Sequence, residues 1–173
     1  WYRPSVELAS GLGLLNGTGA ENFSPQLPVS RGMVATVLYR LCGELSYGVG
    51  QNRFADVPET QYYADAADWA SAVGIVQGTA QNQFSPNKNV TREQLVSMLY
   101  RCADMLGEAS DGPASLLGFP DEAKVEDYAR TAVGWAIGKG ILQGKDGKLD
   151  PKGTATRAET AAILERFVKL LQK

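Results

Sequence analysis

The chain is built from three diverged copies of one sequence unit. Shifting the sequence by about 61 residues aligns roughly the first 43 positions without a gap, with about a third of them identical. A further shift of about 65 residues brings Trp135 onto Trp69 and Gly140–Gly144 onto Gly74–Gly78. We assign residues 1–43, 54–107 and 119–171 to copies one, two and three of a single module, with copy one truncated at its start.

Each copy is predicted to contain two helices. In copy two, apolar residues between Tyr62 and Val73 share one face of a helix that ends at Gly74. From Leu95 to Cys102 the apolar residues follow the i, i+3, i+4, i+7 spacing of a second helix, and the other copies repeat it. Two helices cannot bury their apolar faces alone. We therefore expect an all-α fold in which three helix-loop-helix repeats form a pseudo-threefold bundle with grooves between the repeats.

The composition excludes several classes of function. The chain contains no histidine, which removes Ser-His-Asp and Cys-His catalysis and the usual catalytic zinc ligands. Its formal net charge of −2 lacks the basic excess that nucleic-acid binding requires. No apolar run approaches the ~20 residues of a membrane span, so membrane insertion is not expected. We predict a protein that is not an enzyme and has neither cofactor nor metal.

The cysteines and the acidic residues fit no metal or catalytic motif. Cys42 and Cys102 lie in apolar helical stretches and are too few for a metal knuckle. We interpret them as buried thiols, and a disulfide between them is the alternative. The segment 146–150 lacks the alternating acids of a calcium loop. A glycan-cleaving pair such as Asp56 and Asp121 is not singled out by its spacing.

An arginine opens the second helix of every copy: Arg31, Arg92 and Arg157. The preceding Ser or Thr suits an N-cap, and Gln94 and Glu159 complete a capping box in copies two and three. A cation is mildly unfavourable at this end of a helix. The repeated arginine therefore indicates a guanidinium at a groove rim that binds a carboxylate or phosphate, helped by free N–H groups of the helix start. The alternative is an internal pair, such as Arg92 with Asp65 or Asp68.

Further candidate ligand contacts lie in the turn that follows each first helix. The glycines of this turn serve the chain reversal and also permit a ligand to approach the backbone. The neighbouring amides offer donors and an acceptor to sugar hydroxyls. Trp69 and Trp135 are interpreted as core anchors, with stacking on a sugar as the alternative. The turn residues are Asn16 and Gly17, Gln77 and Gly78, and Gln143 and Gly144.

The order Phe-x-Asp, Trp-Ala, Gly-Ile-x-x-Gly, Phe-x-Pro and Thr-Arg-x-Glu resembles the S-layer homology (SLH) repeat. Copy three matches it best, and the resemblance covers nearly the whole chain. It implies a three-repeat pseudo-trimer whose grooves bind secondary cell-wall polysaccharide, often pyruvylated, or a peptidoglycan-associated glycan. The basic residue of the family's Thr-Arg-Ala-Glu motif carries over to Arg31, Arg92 and Arg157. A guanidinium suits the carboxylate of a pyruvyl group.

The resemblance also implies a function and a location. The chain is expected to anchor a bacterial surface protein non-covalently to the cell wall, outside the cell. Copy one reads Ser30-Arg-Gly-Met33 and lacks both the Glu and the Phe-x-Asp stretch. Its helix start is therefore expected to be less stable by roughly 1 kcal/mol, and the grooves of Arg92 and Arg157 to be better formed. The alternative function is a self-associating assembly module in which protomers exchange elements to complete the first repeat.

Overall fold

The computed structural model describes residues 1–19, 22–109, 116 and 118–172. Over these residues it contains six α-helices, two per copy, and no β-strand, so the predicted all-α class is confirmed. Short 3-10 turns at Glu122–Lys124 and Asp127–Ala129 precede the fifth helix. The helices are α1 (Arg3–Gly11), α2 (Arg31–Leu41), α3 (Ala64–Ala72), α4 (Arg92–Met105), α5 (Arg130–Gly138) and α6 (Arg157–Leu171).

The helix ends follow the local sequence signals. Gly74 adopts a φ of +77° just beyond α3, a conformation that suits glycine after a helix. Complete capping boxes begin α4 and α6, as predicted from Gln94 and Glu159. At α2, Ser30 accepts a hydrogen bond from the backbone N–H of Met33 at 3.3 Å, without the reciprocal bond of a capping box. The start of α2 thus lacks the capping box, as its sequence predicted, and its lower stability stays a prediction.

Helices pair between copies rather than within them. α2 packs against α3, α4 packs against α5, and α6 packs against α1. The first helix of each copy therefore covers the second helix of the preceding copy, and copy three closes the ring onto copy one. One chain closes this ring, so the first repeat finds its partner helices without exchange between protomers, and self-association of the module stays a prediction.

Three backbone hydrogen bonds close the centre of the ring. The N–H of Val29 donates to the carbonyl of Ala155, that of Ala155 to Val90, and that of Val90 back to Val29, each at 3.0 Å. All three residues are fully buried. This cyclic arrangement, with one donor and one acceptor from each copy, gives the bundle its approximate threefold symmetry.

Large aromatic side chains fill the core around this centre. Trp69 packs beside Tyr39 with ring centroids 5.5 Å apart, and Trp135 packs beside Tyr100 at 5.4 Å. Each pair joins a first helix to the second helix of the preceding copy, so the aromatic contacts follow the same pairing between copies. Within the described ranges, no helix has the length and apolar character needed to cross a membrane.

The Phe-x-Asp motif fixes the loop that leads into the second helix. The carboxylate of Asp121 accepts the backbone N–H groups of Leu149 and Asp150, both at 2.9 Å. Asp56 makes the equivalent two bonds in copy two, at 2.8 and 2.7 Å. These carboxylates are committed to backbone donors, which explains why the motif keeps an aspartate.

Acid should destabilise this loop. Burial raises the pKa of Asp121, but the two backbone donors outweigh it and hold that pKa below its ordinary value. The stabilisation is therefore fully present above the unfolded pKa of about 4 and is lost as pH falls through the lowered folded pKa. We expect the melting temperature, followed by circular dichroism, to drop below about pH 4.

Asparagine variants provide the control for this prediction. Asp121→Asn should melt several degrees lower at pH 7, because the hydrogen bonds to a charged acceptor are weakened. It should also lose part of the acid-induced drop. Asp127→Asn, at an exposed carboxylate, should behave like the wild type. Identical pH profiles for all three proteins would contradict the assigned role of Asp121.

Candidate functional site

Open clefts lie beside all three helix-start arginines. The cleft at Arg157 has a volume of about 460 Å³, the cleft at Arg92 about 330 Å³ and the cleft at Arg31 about 250 Å³. They are named below the Arg157, Arg92 and Arg31 clefts. The Arg31 cleft is the smallest of the three.

Every cleft draws residues from all three copies. In the Arg157 cleft the arginine comes from copy three, the turn Leu14–Thr18 and one face of α2 come from copy one, and Tyr62 comes from copy two. The other clefts repeat this plan around the ring, with α4 and Tyr128 in the Arg31 cleft and α6 and Trp1 in the Arg92 cleft. A complete cleft therefore exists only when the ring is closed.

The helix-start arginines bind backbone carbonyls of the next copy. In each case Nε and Nη2 donate to two carbonyl oxygens of that copy's turn and loop. For Arg157 the acceptors are Phe23 at 2.8 Å and Asn16 at 2.6 Å. The matching acceptors are Phe84 (2.8 Å) and Gln77 (2.7 Å) for Arg31, and Leu149 (3.0 Å) and Gln143 (3.1 Å) for Arg92.

This geometry corrects the predicted position of the arginines. Arg92 and Arg157 are only 4% and 3% exposed, so they form the floor of their clefts and not a rim. Each arginine links, by hydrogen bonds, the start of the second helix of its own copy to the turn of the next copy. The carbonyls that they bind explain why arginine is tolerated at the positive end of these helices.

The helix-start N–H groups are also already occupied. The backbone N–H of Arg157 donates to Leu27 at 2.8 Å, and that of Ala158 donates to Pro25 at 2.9 Å. The prediction that free N–H groups help to hold a ligand is therefore wrong, because the loop of the neighbouring copy has taken these donors. The same pairs recur at α2, with Lys88 and Pro86, and at α4, with Gly153 and Pro151.

Arg92 does have an internal ion-pair partner, as the alternative interpretation predicted, but that partner is neither Asp65 nor Asp68. Asp68 accepts backbone N–H groups of residues 51–53 instead, and Arg92 has Glu159 at 3.9 Å. Among the described residues, no carboxylate lies within 4.0 Å of Arg31 or Arg157. Burial lowers the pKa of Arg157, but a guanidinium is so strongly basic that it stays protonated at neutral pH. Arg31 and Arg157 therefore place a guanidinium without a directly paired carboxylate in their clefts, although Asp56 still acts on Arg31 from a greater distance.

A second arginine in each cleft was missed by the sequence analysis. Each is partly exposed and donates one Nη1 hydrogen bond to a carbonyl, at 3.1 to 3.2 Å. The signal was present, since Leu38-Tyr-Arg40 aligns with Leu99-Tyr-Arg101 and copy three has an arginine at the equivalent position. The residues are Arg40 in the Arg157 cleft, Arg101 in the Arg31 cleft and Arg166 in the Arg92 cleft.

Each cleft also has an exposed aromatic side chain that the sequence analysis did not select. Trp1, Tyr62 and Tyr128 are 79%, 59% and 54% exposed, and each stands just before the first helix of its copy. In contrast, Trp69 and Trp135 are 0% and 1% exposed. The interpretation of these two tryptophans as core anchors is confirmed, and their stacking on a sugar is wrong.

The turn residues divide into two groups. The side chains of Asn16, Gln77 and Gln143 are exposed and line their clefts, so they remain candidates for hydroxyl contacts. The glycines are required by the turn itself. A Cβ would lie 2.7 Å from the Gln83 carbonyl oxygen at Gly78, 3.1 Å from the Asn22 carbonyl oxygen at Gly17, and 2.8 Å from the Phe119 ring at Gly144.

The three clefts differ in charge. Among the residues that the structure describes, the lining of the Arg157 and Arg31 clefts contains two arginines each and no acidic residue. The Arg92 cleft adds Lys145 but also Asp146 and Glu159. Burial alone would raise the pKa of Glu159, but hydrogen bonds from the N–H of Thr156 and the ammonium of Lys145 lower it by more. The pKa therefore lies below its ordinary value, and this carboxylate stays ionised. An anionic ligand is therefore favoured most in the two clefts without acids.

Comparison with known proteins gives a consistent result along the chain. The family model described as the S-layer homology domain matches residues 1–32, 53–96 and 118–161, which is more than half of the chain. These segments begin at or next to the starts of the three predicted copies.

Several curated relatives align with nearly the whole chain. An amylopullulanase of Thermoanaerobacterium thermosulfurigenes is 29% identical over 95% of this chain and 9% of the enzyme. The surface-layer 125 kDa protein of Lysinibacillus sphaericus is 28% identical over 98% of the chain and 14% of that protein. A cellulosome-anchoring protein of Acetivibrio thermocellus is 24% identical over 90% of the chain and 35% of that protein. The chain thus spans only a small part of the length of these relatives.

Proposed function

Because this chain belongs to the S-layer homology domain family, we propose that it anchors its parent protein by binding cell-wall polysaccharide in the clefts between its repeats. The family and the relatives assign the module to the cell surface, in association with the wall. The module itself is a non-catalytic anchoring unit. The observation that carries the binding proposal is the recurrence, in every cleft, of two arginines and an exposed aromatic side chain.

These residue types suit an acidic sugar. An aromatic ring packs against the apolar face of a pyranose, and exposed amides exchange hydrogen bonds with hydroxyl groups. In the Arg157 cleft, Arg157 retains Nη1 hydrogens after its two carbonyl bonds, and Arg40 lies in the same lining. Two guanidinium groups, with no acid among the described residues of the lining, favour a ligand carboxylate. We propose a polysaccharide whose sugars carry a carboxylate, such as a pyruvate ketal, as the preferred ligand.

The direct test is titration of the purified protein with wall polysaccharide from the bacterium that produces it. Mild acid removes a pyruvate ketal and leaves the rest of the polymer as a matched control. We expect the treated polymer to bind at least ~10-fold more weakly, since a lost charge-assisted hydrogen bond is worth about 1.5 kcal/mol or more. Equal binding of both polymers would refute the carboxylate preference. A folded protein that binds neither polymer nor peptidoglycan would refute cleft binding altogether.

A further inference from the structure

The two cysteines of the chain meet where α2 and α4 pack together. Cys42 follows the last turn of α2 and is partly exposed, whereas Cys102 is fully buried within α4. Their Sγ atoms lie 3.7 Å apart, and a disulfide brings two sulfurs to about 2.05 Å, so bond formation requires a shift of less than ~2 Å. We propose that Cys42 and Cys102 form a disulfide that links copy one to copy two in the mature protein.

The local structure allows this movement. Cys42 is the residue that closes α2, and Gly43 follows it with a φ of +77°. A residue at a helix end adjusts at lower cost than one in the middle of a helix, because fewer backbone hydrogen bonds depend on it. Cys102 can stay in place within α4 while the Cys42 side chain approaches it.

The repeat provides an internal comparison for these positions. Ala103 and Val168 occupy the positions equivalent to Cys42, and both are buried. Phe167 occupies the position equivalent to Cys102 and is also buried. Ordinary apolar side chains therefore satisfy the packing at the other junctions. Only the α2–α4 junction has a thiol on each side, within reach of each other.

The oxidation requires an acceptor for two electrons, and the acceptor we propose is a small-molecule or protein disulfide. The Cys42 thiolate attacks one sulfur of the acceptor, forms a mixed disulfide and releases one thiol. Cys102 then attacks Sγ of Cys42, forms the Cys42–Cys102 bond and releases the second thiol. Two cysteine thiols are oxidised, one external disulfide is reduced to two thiols, and the protons pass to the released thiols. The cell surface is a location where such bonds persist.

The environment of the thiols favours this order of attack. The hydrogen bond between the two thiols lowers the pKa of Cys42, while the same hydrogen bond and burial raise the pKa of Cys102. Cys42 is also the more exposed of the pair. The more acidic and more accessible thiol is therefore the first nucleophile, and the buried thiol resolves the mixed disulfide.

The bond would reinforce the junction that the sequence leaves weakest. Copy one begins its second helix without a capping box, and its contact with copy two includes the Arg31 cleft. A disulfide across this junction closes a loop of about 60 residues and restricts the unfolded chain. This inference is independent of which polysaccharide the clefts bind.

The test compares the full chain after treatment with oxidised glutathione and after treatment with dithiothreitol. We expect maleimide labelling under denaturing conditions to fall from two sites to none on oxidation, with an intact mass lower by about 2 Da. The oxidised protein should melt roughly 5–15 °C higher. A lasting glutathione adduct on Cys42, a disulfide-linked dimer, or two thiols that remain free would each overturn the proposal.

A variant without thiols separates the bond from the packing. Cys42→Ala with Cys102→Ala should melt at the same temperature under both redox conditions, because no disulfide can form. Peptide mapping of the wild-type protein provides a readout that does not depend on the variant folding. A redox-dependent melting shift that persists in the double variant would show that the shift has another origin.

Discussion

Glutamine at all three partly exposed cleft arginines should abolish binding to purified cell walls while the three-repeat fold remains. Each of these arginines makes one carbonyl hydrogen bond of 3.1 to 3.2 Å, so the structural loss is small. Each cleft would lose a charge-assisted ligand contact worth ~10-fold or more in affinity, and the losses multiply when several clefts bind one polymer. The substitutions are Arg40→Gln, Arg101→Gln and Arg166→Gln.

A matched triple variant distinguishes cleft chemistry from net charge. Its three arginines are exposed and lie outside the three clefts, so the change in charge is the same. We expect wall pull-down and circular dichroism of this control to match the wild type. Equal loss of binding in both triple variants would mean that charge alone attracts the wall, and retained binding in the cleft variant would refute the assigned ligand contacts. The control substitutions are Arg3→Gln, Arg53→Gln and Arg130→Gln.

The fold was predictable because its signals are local and repeated. The 3.6-residue spacing from Leu95 to Cys102, the cap at Thr91 and the glycine at Gly74 each act within a few residues of the chain. Threefold repetition then made closure of the bundle the simplest way to bury the apolar faces. The structure confirms the helices, the two capping boxes and the anchoring tryptophans of the core.

The site was less predictable because it is assembled from three copies at once. Nothing local to Arg157 shows that the carbonyls of Asn16 and Phe23 will meet its guanidinium. The same packing brings Tyr62 and Arg40 to one cleft from different copies. In the sequence, the motif arginine is an anomaly because it places a cation at the positive end of a helix. The structure explains this position by contacts between copies.

The aromatic positions illustrate a second limit. Trp1, Tyr62 and Tyr128 differ in residue type and lie just outside the helices, so neither identity nor helical spacing marks them. Trp69 and Trp135, in contrast, are the same residue at equivalent positions of copies two and three, because both fill the core. For the aromatic residues of this chain, identity between copies therefore marks packing, whereas the repeated Arg40, Arg101 and Arg166 show that it can also mark the clefts.

Arg157→Gln should strongly destabilise the folded protein. The buried guanidinium makes two short hydrogen bonds, at 2.8 and 2.6 Å, and lies over the ring of Phe23 with a separation of 4.4 Å. Hydrogen bonds to a charged group contribute about 1.5–3 kcal/mol each. We expect the free energy of unfolding to fall by ~3–5 kcal/mol and the melting temperature by roughly 6–15 °C.

Arg40→Gln is the control for this prediction, because Arg40 lines the same cleft but is partly exposed and makes one weaker carbonyl bond. It should lower the free energy of unfolding by no more than about 1 kcal/mol while weakening binding to wall polysaccharide. Urea denaturation and polysaccharide titration on both variants separate the two roles. If Arg157→Gln kept the wild-type stability and lost only binding, the motif arginine would act on the ligand and the junction would depend on other contacts. The expected loss of stability in Arg157→Gln would show that the motif arginine builds the cleft in addition to facing its ligand, whereas Arg40 acts mainly on what the cleft binds.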